Sequence, residues 1–136
     1  MLPIYRLLNL CTRGTDRVMT RYLEESGLTL SQFDVLATLG DTTGLSFKEL
    51  SQQSLVTGGT LTPVLNRLEA KGLINRCKGE RDSRQTIISL TPEGQALYEQ
   101  VFLPLVDHAR TYEERLTPEE HADLVRLLTK FEAGLA

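Results

Sequence analysis

Residues Ser46–Thr91 read SFKELSQQSLVTGGTLTPVLNRLEAKGLINRCKGERDSRQTIISLT, and the order of signals along them decides the fold. Ser46 with Glu49 three residues later is a capping box, in which each side chain can bond the other residue's backbone N–H at a helix start. Leu45 before the cap and Leu50 after it are spaced as a hydrophobic staple. The next helix starts between Thr57 and Thr62. Its buried side is Leu61, Val64, Leu65 and Leu68, and Pro63 suits only a first turn, where its missing N–H has no intrahelical partner. Gly72 is placed for the left-handed residue that ends a helix. Leu73–Cys77 and Gln85–Leu90 then read as strands around the charged turn Lys78–Arg84. Helix, turn, helix and β-hairpin in that order form a winged helix-turn-helix. Such a unit offers one helix to the DNA major groove and a basic loop tip to the backbone or minor groove.

Outward from this stretch the chain is helical. Residues 3 to about 25 predict a helix with Leu7, Leu8, Cys11, Val18, Met19 and Tyr22 near one side, ended by Ser26-Gly27. A second helix follows Thr29, with Phe33, Leu36, Ala37 and Leu39 inward and a break at residues 40–44. Thr91-Pro92-Glu93 opens a long helix whose stripe is Leu97, Val101, Leu105, Ala109 and Tyr112, with Pro104 as a kink point. Thr117-Pro118-Glu119-Glu120 repeats the start signal, and Leu124, Leu127, Leu128, Phe131 and Leu135 line the last helix. The fold class is therefore mainly α with a small β-hairpin wing. One domain covers residues 1–136: a winged helix-turn-helix lobe at about 29–94, with helices at 1–26 and 95–136. The terminal stripes are more apolar than one wing domain needs. They predict dimerisation helices, with closure of a monomeric core as the alternative.

The chain has 136 residues and a net charge of −3, an unexpected sign for a nucleic-acid binder until the charge is divided along the sequence. Residues 46–90 carry +3, against −1 before them and −5 after them. Phosphate contacts are local, so the local excess is what bears on affinity. Membrane-spanning and signal-peptide patterns are absent. Two cysteines make no disulfide framework, which fits a cytoplasmic protein.

Asp82-Ser83-Arg84 followed by Leu90-Thr91 and Gly94 resembles the wing signature of the multiple antibiotic resistance regulator (MarR) family. The segment Leu61–Ile74 is similar to that family's recognition helix and its exit into the wing. The resemblance implies a homodimeric winged-helix transcription factor, usually a repressor, that faces a pseudo-palindromic operator. It places Arg84 at the wing tip, in or beside the minor groove, and has Asp82 hold the wing by pairing with a nearby arginine. Chemistry agrees: a guanidinium on a hairpin tip suits a narrow groove of enhanced negative potential.

The remaining DNA-binding candidates are Thr57, Thr60, Thr62, Asn66, Arg67 and Arg81. Hydroxyls and free N–H groups at a helix start suit phosphate, while Asn and Arg can make bidentate contacts to adenine or guanine edges. Gly59-Thr-Leu-Thr-Pro63 is similar to the organic hydroperoxide resistance branch of the family. That resemblance implies a peroxide-reactive cysteine in the first helix, where Cys11 stands. The residues after Cys11 lack the expected aromatic character, and on the Leu7/Leu8 stripe a buried, inert cysteine is the ordinary outcome. A small aromatic ligand is the other effector the family implies. His108 and His121 are dispersed and make no metal site. No cofactor is implied, and no phosphate-binding glycine loop, zinc signature or nucleophile–base arrangement suggests an enzyme. The rival function is a winged-helix module for protein contacts, which calls for an apolar rather than a basic wing.

Overall fold

The computed structural model describes residues 2–136. The chain divides into two compact units, one ending at Phe102 and the other spanning Leu103–Ala136. Helix α1 (Pro3–Leu23) opens on a proline at its first turn and passes into a single 3-10 turn, Glu24–Ser26. Gly27 then stops it at φ 72°, a left-handed conformation that favours glycine. Helix α2 (Leu30–Leu39) begins in a capping box not anticipated from the sequence. Thr29 Oγ1 accepts from the Gln32 N–H, and Gln32 Oε1 accepts from the Thr29 N–H, both at 3.2 Å.

Leu45–Ser46 is a short strand, β1, which the hairpin reading did not foresee. It pairs antiparallel with β3 (Thr86–Leu90), which in turn pairs with β2 (Ile74–Lys78), so the sheet has order β1-β3-β2. The wing is thus the outer part of a three-stranded sheet. Two residues cannot display a strand period, so β1 is defined only by its partners, Leu45 opposite Ile88 and Ser46 opposite Ile87. Ser46 is also the N-cap of α3 (Phe47–Gln53): its Oγ accepts the Glu49 N–H at 3.2 Å. The expected reciprocal bond is replaced by one between side chains, Ser46 Oγ donating to the Glu49 carboxylate at 2.9 Å.

Helix α4 (Gly58–Ala70) completes the helix-turn-helix, with Thr57 as N-cap. Pro63 does not occupy the first turn as expected; it lies inside the helix, six residues after the cap. The interruption is tolerated because the carbonyl it leaves without a donor belongs to Gly59, which is exposed to water. Leu61, Leu65 and Leu68 are fully buried. The helix ends in a Schellman motif: Gly72 at φ 73° donates to the Glu69 carbonyl at 2.9 Å, and Leu73 donates to the Leu68 carbonyl at 3.0 Å. Leu73 is buried, as is Leu68, which supplies the apolar contact that accompanies this motif.

The wing is joined to α5 (Pro92–Glu113) through Thr91. Its N–H donates to the Leu73 carbonyl at 3.1 Å and its Oγ1 to the Gly72 carbonyl at 2.7 Å, while Oγ1 accepts the Gly94 N–H at 3.0 Å. A Cβ on Gly94 would overlap the Leu73 carbonyl. Gly94 is therefore required by close backbone approach. Tyr98, absent from the expected stripe, lies buried over Gly40, where a Cβ would come within 2.6 Å of its ring.

The second unit contains the end of α5 and α6 (Pro118–Ala133), which starts in a capping box between Thr117 and Glu120. Its apolar row is not buried within the chain: Leu124, Leu127 and Leu128 are 45%, 52% and 42% exposed. On the α5 stripe Val101 and Leu105 are buried while Ala109 and Tyr112 are exposed, so that stripe closes the core only along its first half. In the first unit, Leu2, Ile4, Tyr5, Leu7 and Leu10 of the α1 end are likewise exposed. Cys11 is exposed too, contrary to the expectation of an inert core cysteine, because none of the described residues covers that part of the stripe. Among the described residues no helix is long and apolar enough to cross a membrane.

Candidate nucleic-acid interface

The buried positions Leu61, Leu65 and Leu68 put one side of α4 inward and leave Thr60, Thr62, Asn66 and Arg67 exposed. At its start the Thr57 side chain caps no backbone N–H. It lies 2.9 Å from Thr60 Oγ1, which donates to the Thr57 carbonyl at 3.0 Å. The two hydroxyls hold each other, the Thr60 N–H donates to the Thr57 carbonyl at 3.0 Å, and the N–H groups of the exposed Gly58 and Gly59 stay open. An uncapped helix start with its positive dipole end is a ready phosphate site.

Strands β2 and β3 pair from Ile74 opposite Leu90 to Lys78 opposite Thr86 and carry the wing tip, residues 79–85. Gly79 donates to the Gln85 carbonyl at 2.8 Å, and Gln85 donates to the Asp82 carbonyl at 3.1 Å. Asp82 Oδ1 accepts the Arg84 backbone N–H at 2.9 Å, an Asx turn. The expected pairing of Asp82 with an arginine side chain is not formed, since the carboxylate turns back onto its own loop. Arg84 and Arg81 therefore project from the tip with no hydrogen-bond or ion-pair partner among the described residues, and Arg67 on α4 is equally unpartnered.

Two other basic residues of the segment are engaged internally. Lys71 Nζ donates to the Gly27 carbonyl at 2.9 Å and to Gln32 Oε1 at 3.1 Å, tying the end of α4 to the start of α2. Arg76 on β2 pairs through Nε with Glu69 Oε2 at 3.0 Å and donates through Nη2 to Asn66 Oδ1 at 2.8 Å. At the other end of α4, Asp34 Oδ2 accepts the Leu55 N–H at 2.7 Å. Burial raises the Asp34 carboxyl above its ordinary value, and the backbone bonds from Leu55 and Val56 only partly offset this. None of these three residues stood out in the sequence, because their partners lie 7 to 44 residues away on other elements.

Cys77 is exposed on β2, its Sγ 3.8 Å from the Ile87 carbonyl. His121 lies 3.4 Å from Glu113, and His108 meets the Tyr112 ring edge-on. Among the described residues no group of three or more His, Cys, Asp or Glu is placed to hold a metal ion.

Residues 28–86, which span the helix-turn-helix and most of the wing, match the profile of the MarR family. The chain is 34% identical over 131 residues to the multiple antibiotic resistance protein MarR of Salmonella typhimurium, covering 96% of this chain and 91% of that protein. It is 32% identical over 109 residues to the homoprotocatechuate degradative operon repressor of Escherichia coli, covering 80% of this chain and 74% of the relative. Its backbone is similar to that of a cysteine-to-serine mutant of Escherichia coli MarR solved with operator DNA, with a TM-score of 0.86 and 32% identity over 96% of this chain and 94% of that one. With the sheet order, the open start of α4 and the unpartnered wing arginines already pointing the same way, the chain belongs to the MarR family of DNA-binding transcriptional regulators.

Proposed function

We propose that this chain acts as a homodimeric repressor that binds a pseudo-palindromic operator, with α4 in the major groove and the wing tip against the minor groove or its phosphates. The observation that carries this reading is the uncapped, exposed start of α4 together with three guanidiniums, Arg67, Arg81 and Arg84, that find no partner among the described residues. Thr57, Thr60 and Thr62 would position the helix on phosphate, Asn66 and Arg67 would meet base edges, and Arg81 and Arg84 would anchor the wing, with Asp82 holding its turn. The helices at 1–26 and 95–136 would supply the dimer contact through the apolar faces the single chain leaves exposed. Two half-sites would then be centred about 34–36 Å apart. Selection from a randomised duplex pool at near-physiological salt tests the proposal: an enriched inverted repeat supports it, and no enrichment brings forward the protein-interaction module.

Two release signals fit the chain. A cavity of about 590 Å³ lies between α1, α2 and the turn before α4, with Met19, Phe33, Leu55 and Val56 in its wall. Asp16 and Asp34 also line it, so a neutral or cationic aromatic ligand suits it better than a carboxylate. The exposed Cys11 thiol is the alternative sensor, since oxidation needs access. Loss of operator binding after an organic hydroperoxide, abolished by Cys11→Ser, would select the thiol. Indifference to peroxide would leave the cavity.

A further inference from the structure

Asn66 and Arg67 are adjacent on the exposed side of α4, yet only Asn66 is held by another side chain. A guanidinium has five donors and no acceptor, so the group of Asn66 that faces Arg76 must be its carbonyl oxygen. The 2.8 Å bond from Arg76 Nη2 to Asn66 Oδ1 therefore removes the choice between the two flips of the amide. Its nitrogen, a donor of two hydrogens, is left for the exposed side of the helix. Arg76 is itself fixed, because its Nε pairs with Glu69 Oε2 at 3.0 Å, one turn along the same helix. Glu69, Arg76 and Asn66 thus form a chain of orientation from the acid, through the wing strand, to the amide.

We infer that Arg76 is a positioning residue for operator readout. It sets Asn66 to meet the DNA with its amide N–H groups, so that Asn66 selects a base edge presenting an acceptor in the major groove. Purine N7, guanine O6 and thymine O4 qualify, whereas the cytosine amino group does not. The same contact links the wing to the recognition helix, so wing placement and base choice are coupled. This inference rests on the regulator reading and on the placement of α4 in the major groove.

The test is the base-preference profile from a randomised duplex pool, measured for wild type, Asn66→Ala, Arg76→Ala and Asn66→Asp, with thermal unfolding followed in parallel. Asn66→Ala identifies the base pair concerned. Arg76→Ala is expected to lower discrimination at that same pair by about three- to tenfold while leaving the other positions unchanged. Asn66→Asp keeps the pairing with Arg76 and supplies only acceptors, so the preference there should move to a base that presents an amino donor, cytosine through N4 or adenine through N6. This variant also serves if Arg76→Ala fails to fold. Unchanged discrimination at that pair in Arg76→Ala, or an equal loss of affinity for all sequences, would overturn the positioning role. An unchanged ranking of the four bases at that pair in Asn66→Asp would overturn donor readout. If wild-type protein selects no sequence at all, the regulator reading fails, an outcome distinct from both.

Discussion

Arg84 and Asp34 show how differently two charged side chains of one small lobe behave. Arg84 stands at the wing tip with its backbone held by Asp82 and its guanidinium free of partners among the described residues. Arg84→Ala should weaken operator binding and reduce the magnitude of the slope of log affinity against log salt by about 1. An unchanged slope in a salt titration would remove it from the phosphate contacts. Asp34 is half-buried, and desolvation raises its carboxyl despite the backbone N–H groups that favour the ionised form. Because the folded value lies above the unfolded one, the group's contribution to stability is full below the unfolded value and is lost as pH rises through the folded one. Asp34→Asn keeps an acceptor oxygen and does not titrate. Its stability relative to wild type should therefore be higher at pH 7 than at pH 3, as read from unfolding midpoints. A difference that runs the opposite way would mean that the Leu55 and Val56 bonds outweigh burial.

Elements with strong local punctuation were legible in the sequence. The Ser46 cap, the Gly72 stop and the Thr91-Pro92 start bracket α3, α4 and the wing, and the structure keeps each of them. What the sequence did not disclose depends on distant partners. Strand β1 is two residues long and exists because Ile87 and Ile88 lie opposite it. Tyr98 is buried because Gly40 leaves room for its ring. The cations named as DNA contacts, Arg67, Arg81 and Arg84, stay outward, whereas the inward anchoring of Lys71 and Arg76 onto α2 and α4 could not be read from the sequence. The shift of Pro63 from the first turn into α4 followed from local forgiveness, an exposed Gly59 carbonyl that water can serve. At this scale Gly94→Ala is expected to disturb the wing–α5 junction, since the new methyl would overlap the Leu73 carbonyl. A loss of about 2 kcal/mol or more should appear in denaturant unfolding. A near-neutral result would show that the backbone there yields without effort.

At the scale of the molecule, the leucines of α6 and the apolar beginning of α1 are exposed, and on the proposed reading a second copy covers them. Leu124→Asp with Leu128→Asp should give a monomer by sedimentation that retains its helical signal but binds the operator about tenfold or more weakly, because the two half-sites are no longer joined. A double variant that stays dimeric would place the contact elsewhere. Helix α4 is fastened to α2 at both ends, by Asp34 before its start and by Lys71 at its finish. Mechanically these bonds are expected to make the pair a stiff crossbar that moves as a unit. Its 13-residue α4 measures about 20 Å. A tilt of about 10° around one end then carries the other by roughly 3.4 Å, the rise of one base pair. On the proposed reading, such a regulator would change its grip through its reach, the distance between two rigid readers, and a small rotation would be enough to put one of them out of step with the groove.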